Sequence, residues 1–495
     1  MQSAEDYDLI VIGSGPAGEK GAAQAAYFGK RVALIERDSV LGGASCNTGT
    51  LSSKTLRESA LALSGFRSRE LFGVDLAVRR GATVHDFLTH ERRVKAAERE
   101  AIVANIRRHK IDTYHGAASF VDPHTIGVET EGEDQVLLSA KVVLIATGSS
   151  PQWPPQFCFD HPRVWDSDQI VNLDFMPGRM AVVGGGVIGC EYACTFAALG
   201  VDVYLIDGRS ELLEFLDRDL WVVLERAMIA AGVRFLKGER VLECSTREDA
   251  VILSLSSGRT VEVEAALVAA GRIANTEQLN LNAAGITADG RGRVAVNEHY
   301  QTEVPHIYAA GDVIGFPALA STSMEQARVA MVHAFDLKYK TSAAPVLPLG
   351  VFTIPEVSVA GETEVSLTAQ HIPYVAGRAY YDSNARGKII GDREGLLKLL
   401  FREGDMKLLG VGVVGENASE LIHVGLVALM VEADNGLFIE TCFNYPTLGQ
   451  LYKYATYDAM GKRRGSPWPV SRLAEATDVA GKGNSPGLTP GSSIV

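Results

Sequence analysis

Nowhere does the 495-residue sequence run through the roughly 18 consecutive apolar residues that a membrane-spanning helix needs, so no membrane partner is expected. Basic charge is not in excess either. The 47 Lys and Arg stand against 60 Asp and Glu, and a net charge of −13 argues against nucleic acid as a main partner. Cysteine is sparse. The six, at positions 46, 158, 190, 194, 244 and 442, show no metal-ligand pairing, and no metal site is expected. Cys190 and Cys194 have i,i+4 spacing on an expected helix and read as buried small apolar side chains rather than as a functional pair. Met1 to Tyr7 has neither a basic n-region nor an apolar h-region, so no targeting signal is expected and the chain reads as cytoplasmic.

Glycine, by contrast, is plentiful at 50 residues, and many of these sit in punctuated motifs. One unit occurs twice. Asp8-Leu9-Ile10-Val11-Ile12 leads into Gly13-Ser14-Gly15-Pro16-Ala17-Gly18, a small-residue helix, and a strand ending at Glu36. Met180-Ala181-Val182-Val183 leads into Gly184-Gly185-Gly186-Val187-Ile188-Gly189, a helix, and a strand ending at Asp207. A lone G-x-G-x-x-G is weak evidence. Here each copy follows an apolar strand and is answered by an acid the same 18 residues on, Gly18 to Glu36 and Gly189 to Asp207. In such a unit the first glycine permits the turn, the second admits a pyrophosphate, and the third lets helix and strand pack closely. The phosphate lies at a helix N-terminus and the acid accepts from ribose hydroxyls. Two bound dinucleotides are expected.

A chain of this length exceeds one compact core, and two to four domains are expected. Val84 to Lys110 reads as one or two amphipathic helices. Strands follow to Ile145, before Ala146-Thr147-Gly148, and a break lies at Pro151 to Pro155. A parallel phrase, Val268-Ala269-Ala270-Gly271-Arg272, closes the second unit; Ile307-Tyr308-Ala309-Ala310-Gly311-Asp312 follows, and Pro345 to Pro348 marks another boundary. The expected division is 1–150, 151–275, 276–345 and 346–464, with a Gly-, Ser- and Pro-rich tail over 465–495 that reads as loosely attached.

Together these motifs resemble the flavoprotein disulfide reductase family, which includes dihydrolipoamide dehydrogenase, glutathione reductase and mercuric reductase, over roughly Tyr7 to Lys462. The resemblance implies an α/β fold: two Rossmann-like domains, one for FAD and split around one for NAD, then a C-terminal α+β dimerisation domain. The protein is then a homodimer, with further assembly left open. It also implies that Asp312 is a second FAD contact, that Thr147 and Gly148 mark the crossing between the two nucleotide domains, and that Lys54, beside flavin N5, pairs with Glu191. Such a pair fixes a positive charge where reduced flavin gathers negative charge; the alternative is a purely structural ion pair.

The departures from the family are informative. In the segment Gly42-Gly43-Ala44-Ser45-Cys46-Asn47-Thr48-Gly49-Thr50-Leu51-Ser52-Ser53-Lys54, Ser45 and Thr50 stand where the family carries its redox cysteines, and Cys46 is out of register. The family's His–Glu acid–base pair is replaced by Tyr445 and Gln450, neither of which is a base near neutral pH. The best-matching branch is that of the soluble pyridine nucleotide transhydrogenases, on Asn444-Tyr445-Pro446-Thr447, Trp165-Asp166-Ser167-Asp168, Gly189-Cys190-Glu191-Tyr192-Ala193 and Gly311-Asp312-Val313-Ile314-Gly315. That branch usually keeps a cysteine at the position of Ser45 and reads Ile-Pro-Ser-Lys where this chain has Leu51 to Lys54. The implied activity is hydride transfer between nicotinamide nucleotides through flavin N5, with no redox disulfide.

Cofactor choice turns on Asp207, expected to accept from a ribose 2′-hydroxyl and repel a 2′-phosphate, and on Arg209, either a phosphate ligand or a solvated side chain. The branch usually has Asn at the first position and Arg where Glu211 stands. NAD(H) is expected to be preferred, with NADP(H) used poorly. Two other readings stay open: an NADH-dependent diaphorase, quinone reductase or NADH oxidase, and a non-catalytic FAD- and NADH-binding sensor or assembly subunit.

Overall fold

Strand Glu5–Ile12 lies at the centre of a seven-stranded sheet, and Leu9, Ile10 and Val11 are fully buried in it. A strand covered on both faces has no solvent side to alternate with, which is why its sequence is continuously apolar. Parallel neighbours are Val32–Glu36, in register Leu9 with Val32, and Gln135–Ile145, in register Ile12 with Ile145. Asp112–His115 extends one edge. Ile307–Ala309 adds a further parallel strand beside Val143–Ile145, although well over a hundred residues separate the two along the chain. The first half of Gln135–Ile145 pairs antiparallel with Thr125–Glu129, which pairs with Ala117–Asp122.

A second, five-stranded parallel sheet is made within that interval. Its order is Val233–Lys237, Asp202–Asp207, Arg179–Val183, Ala265–Val268 and Val164–Asp166. Helix Val187–Ala198 packs on one face through Cys190, Ala193, Cys194 and Phe196. An antiparallel three-stranded layer, Val241–Thr246, Val251–Leu255 and Thr260–Val263, packs on the other. The chain passes between the sheets twice, and the two passages, Ser149–Pro151 and Arg272–Ala274, pair as an antiparallel ribbon.

The third sheet is antiparallel, in the order Leu349–Val351, Glu356–Gly361, Leu408–Gly415, Leu396–Arg402 and Tyr374–Tyr380, with helices Ala418–Met430 and Gln450–Lys462 against it. The computed structural model describes residues 5–64, 83–130, 135–340 and 342–464; the tail expected over 465–495 lies outside the described residues. The fold class is the one the sequence implies: α/β with two dinucleotide-binding sheets and a C-terminal α+β unit.

The stretch expected to hold one or two helices forms one, Val84–Arg108. It opens on a capping box in which Asp86 N–H donates to Thr83 Oγ1 at 3.3 Å and Thr83 N–H donates to Asp86 Oδ2 at 2.9 Å. Such a cap contributes about 1 kcal/mol. Among the described residues no helix is long and apolar enough to cross a membrane.

Candidate functional site

At the first glycine turn, helix Pro16–Tyr27 begins directly after Gly15, with Pro16 at its first position, where no N–H partner is needed. A Cβ on Gly18 would stand 1.8 Å from Gly13 O, so only glycine lets the helix start this close to the strand. Gly43 lies against Gly15: a Cβ there would be 2.8 Å from Gly15 Cα. Glu36 is buried at the end of its strand. Its Oε2 accepts from Ser14 N–H at 2.9 Å and from Ser14 Oγ at 2.5 Å, and its Oε1 accepts from Asp38 N–H at 2.9 Å. Gly42 N–H donates to Ser14 Oγ at 2.9 Å. Ser14 therefore ties the acid to the glycine turn and to the Gly42–Gly43 loop, a role that the motif's variable second position gave no sign of.

Beyond this turn, Ser45 sits in the short helix Gly43–Asn47, and Thr50 is the exposed first residue of helix Thr50–Leu63. Thr147 and Gly148 follow strand Gln135–Ile145. Asn275 Nδ2 donates to Thr147 O and Asn275 N–H to Gly148 O, both at 3.0 Å, and Ser149 Oγ donates to Asp312 Oδ2 at 2.8 Å. The buried Oγ1 atoms of Thr48 and Thr147 have no hydrogen-bond partner within the protein. Native interiors rarely leave such atoms unmet unless a ligand meets them.

Lys54 and Glu191, 137 residues apart in sequence, meet at 2.6 Å. Helix Thr50–Leu63 brings the lysine, and helix Val187–Ala198 brings the glutamate, whose side chain is only 7 % exposed. The C-terminal unit completes the cluster. Phe352 N–H donates to Glu191 Oε1 at 2.8 Å, and the Phe352 ring centroid lies 5.0 Å from Lys54 Nζ, within cation–π reach. Each oxygen of the glutamate thus has a partner, one a cation and one a backbone N–H, and Lys54 Nζ is held at the junction of all three sheets. Phe352 was not legible as a site residue, because a backbone donor leaves no mark in the side-chain sequence.

The second glycine turn repeats the first. Gly184 N–H donates to Ile206 O at 2.8 Å, a Cβ on Gly189 would lie 1.8 Å from Gly184 O, and a Cβ on Gly186, which precedes the helix, would meet open space. Asp207 accepts from Gly185 N–H at 2.6 Å and from Arg209 N–H at 2.8 Å. The Arg209 side chain folds back on it in a two-pronged contact, Nε to Oδ1 at 2.9 Å and Nη2 to Oδ2 at 2.8 Å. Partial burial pushes the Asp207 carboxyl up, but the Arg209 hydrogen bonds and the Gly185 N–H outweigh it and hold the carboxyl below the usual aspartate range. Arg209 thus pairs with Asp207 while its side chain stays half exposed. Glu211, close by, faces Arg218 at 3.6 Å. Gly271 leads into the second crossing at φ +114°, with Gln152 N–H donating to Gly271 O at 2.9 Å.

Cys46 is buried, its Sγ lies 4.0 Å from Lys95 O, and burial pushes its thiol up. None of the six cysteines is paired in a disulfide. Cys190 and Cys194 are buried, as their spacing implied. Tyr445 is 75 % exposed on the single chain, and Gln450 opens helix Gln450–Lys462.

The pattern of two glycine turns, each answered by a held carboxylate and followed by a separate antiparallel unit, matches a known family model. Residues 7–334 match the pyridine nucleotide-disulphide oxidoreductase model, and residues 347–456 match the dimerisation domain of the same proteins. The chain belongs to the pyridine nucleotide-disulphide oxidoreductase family. A soluble pyridine nucleotide transhydrogenase from Mycobacterium bovis is 42% identical over 460 residues, covering 93% of this chain and 98% of that one. The protein of the same description from Colwellia psychrerythraea is 41% identical over 466 residues, covering 93% of this chain and all of its own. Among solved structures, LpdA from Mycobacterium tuberculosis superposes with a TM-score of 0.85 at 29% identity, covering 91% of this chain and 99% of that one. The Cu(II) complex of the HOCl-induced flavoprotein disulfide reductase RclA from Escherichia coli gives 0.83 at 25%, covering 92% and 99%.

As members of this pyridine nucleotide-disulphide oxidoreductase family do, the protein uses FAD and a nicotinamide nucleotide, and its residues fit them. The first glycine turn, the held Glu36 and the unmet hydroxyls of Thr48 and Thr147 are groups that one nucleotide could meet, and the open space beside Gly186 with Asp207 could receive the other. The C-terminal unit is a dimerisation domain that pairs two copies into a homodimer. On the single chain its helices leave Val427, Met430, Tyr454 and Tyr457 exposed.

Proposed function

We propose that this protein carries hydride between nicotinamide nucleotides by way of FAD, without a redox disulfide. FAD, when bound, supplies a centre that accepts and returns a hydride; the protein supplies binding, orientation and charge. Gly13, Gly15, Gly18, Glu36 and Gly43 hold the FAD, with Ser45, Thr50, Thr147, Gly148 and Asp312 around it. Gly184, Gly186, Gly189, Asp207, Arg209 and Gly271 hold the nicotinamide nucleotide. Lys54, held at 2.6 Å by Glu191, is the cation at their junction.

The observation that carries this reading is the segment Ser45 to Lys54. A hydroxyl stands at each of the two positions where a dithiol would sit, and the one thiol in the segment, Cys46, is buried at 4.0 Å from Lys95 O. With Tyr445 and Gln450 in place of an acid–base pair, entry and exit of hydride share the nicotinamide side. The units divide near residues 150, 275 and 345, where the ribbon and the proline-rich passage lie. A cytoplasmic setting and assembly of dimers into larger homo-oligomers complete the proposal.

The geometry around Asp207 favours NAD(H). A 2′-phosphate would meet an ionised carboxylate, and Arg209 is withheld from it. Asp207→Asn removes the charge and frees the guanidinium, so the preference for NADPH relative to NADH in kcat/KM should rise by about tenfold, the worth of one charge-assisted hydrogen bond. No change in that ratio would place the phosphate site elsewhere. The same preference supports a second reading, an NADH-dependent diaphorase that passes electrons to a quinone. Rapid mixing separates the two. Loss of flavin absorbance on adding NADH, followed by recovery on adding a thionicotinamide nucleotide, supports nucleotide-to-nucleotide transfer. Recovery with a quinone alone supports the diaphorase, and no bleaching at all contradicts both.

A further inference from the structure

We propose that Arg272 is a positioning residue for FAD, acting through Ser149 on Asp312; the proposal rests on the FAD reading above. Arg272 opens the return strand of the two-stranded ribbon, and Ser149 opens the outgoing one. The guanidinium is held by Asp168, which follows the edge strand Val164–Asp166 of the second sheet. Nη1 donates to Asp168 Oδ1 at 3.0 Å and Nη2 to Oδ2 at 3.5 Å, with Ser167 Oγ 3.3 Å from Nη1. From there it reaches the ribbon: Nη2 donates to Ser149 O at 2.6 Å and Nε to Ser149 Oγ at 2.8 Å. Ser149 Oγ then donates to Asp312 Oδ2 at 2.8 Å.

The direction of this chain is fixed by chemistry. Arginine has only donors, so Ser149 Oγ must accept from Nε. The hydroxyl has a single proton, and that proton is turned to Asp312. A carboxylate with Oδ2 so occupied is oriented about its own bond, which leaves Oδ1 for a hydroxyl of the ligand. Asp312 also opens the short turn Asp312–Ile314, separated from strand Ile307–Ala309 by two residues, and the preceding Gly311 N–H is fixed by Gln326 Oε1 at 2.8 Å. The acid is thus located by its own backbone and aimed by Ser149, and Ser149 is set by a cation anchored in the neighbouring domain. A relay of charge-assisted hydrogen bonds polarises its members in turn, so losing the middle hydroxyl breaks the whole.

The test is FAD titration of the flavin-stripped protein, read by quenching of flavin fluorescence, with the flavin midpoint potential as a second readout. Ser149→Ala should raise the FAD Kd about tenfold, since one hydrogen bond to a charged group is lost. Ser149→Thr, which keeps the hydroxyl, should restore binding. Arg272→Met should weaken FAD to a similar degree and shift the potential the same way, and the double variant should be no weaker than the worse single one. The relay is overturned if Ser149→Ala binds FAD like the wild type, if threonine fails to rescue, or if the two losses add. A wild-type protein that takes up no FAD would instead overturn the FAD reading itself, and the relay with it.

Discussion

Lys54→Met should lower the rate of flavin reduction by NADH by about 10²–10³-fold, the usual loss when one preorganised charge is removed from a transition state, while FAD stays bound. The methionine keeps most of the side-chain volume on helix Thr50–Leu63 and removes only the charge that Glu191 and the Phe352 ring hold in place. Glu191, 7 % exposed beside the lysine, would then have the Phe352 N–H without its cation, so the loss also costs stability. The two effects separate by measurement. If the pair is purely structural, the melting temperature falls and the rate per bound flavin stays at the wild-type value. If Lys54 acts as proposed, the rate per bound flavin collapses, and Lys54→Arg recovers part of it. Rapid-mixing traces normalised to bound flavin decide between them.

Lys398→Met should destabilise the folded protein by about 3–5 kcal/mol, the cost of leaving buried charges without a partner. Lys398 is 1 % exposed and contacts Asp217 and Asp219 at 2.9 Å and Glu364 at 3.1 Å. Arg378 adds contacts to Asp219 at 2.7 Å and Glu364 at 3.1 Å, and Glu364 N–H donates to Asp217 Oδ1 at 2.9 Å. Two cations thus bind three acids across the seam between the second sheet's unit and the C-terminal one. Methionine fills the space but leaves Asp217 with no cation, since Arg378 does not reach it, and with the Glu364 N–H alone. Denaturant unfolding of the FAD-bound protein should show the loss, and an unchanged midpoint would contradict it. The cluster also sets an acid limit. Burial pushes the Asp219 carboxyl up, but Lys398 and Arg378 more than offset this and bring it below its ordinary value. Its contribution is therefore complete above the usual aspartate range, near 4, and is lost as pH falls through the lower folded value.

Residue identity made the two glycine turns legible before any coordinates, because they demand glycine for a steric reason. Gly18 and Gly189 each leave no room for a Cβ, and an acid at a fixed distance closes the unit. The meeting of Lys54 with Glu191 was legible only through resemblance, since nothing local to either residue points across 137 positions. Three features stayed hidden. Phe352 enters through its backbone. Arg209 folds onto Asp207, a pairing between residues two positions apart that the glycine motif does not signal. The Arg272 and Lys398 networks join residues from different units, and such pairings have no periodicity to read.

The most direct test of the central claim is anaerobic hydride transfer from NADH to a thionicotinamide nucleotide, before and after the exposed thiols are alkylated with iodoacetamide. Exposed Cys442 and the partly exposed Cys158 are the accessible targets, while Cys46, Cys190, Cys194 and Cys244 are buried. If hydride passes from nucleotide to nucleotide without a dithiol, the alkylated protein should transfer at the wild-type rate, and prior reduction with NADH should expose no new reactive thiols. Loss of transfer on alkylation, or two additional thiols titrated after reduction by NADH, would contradict it.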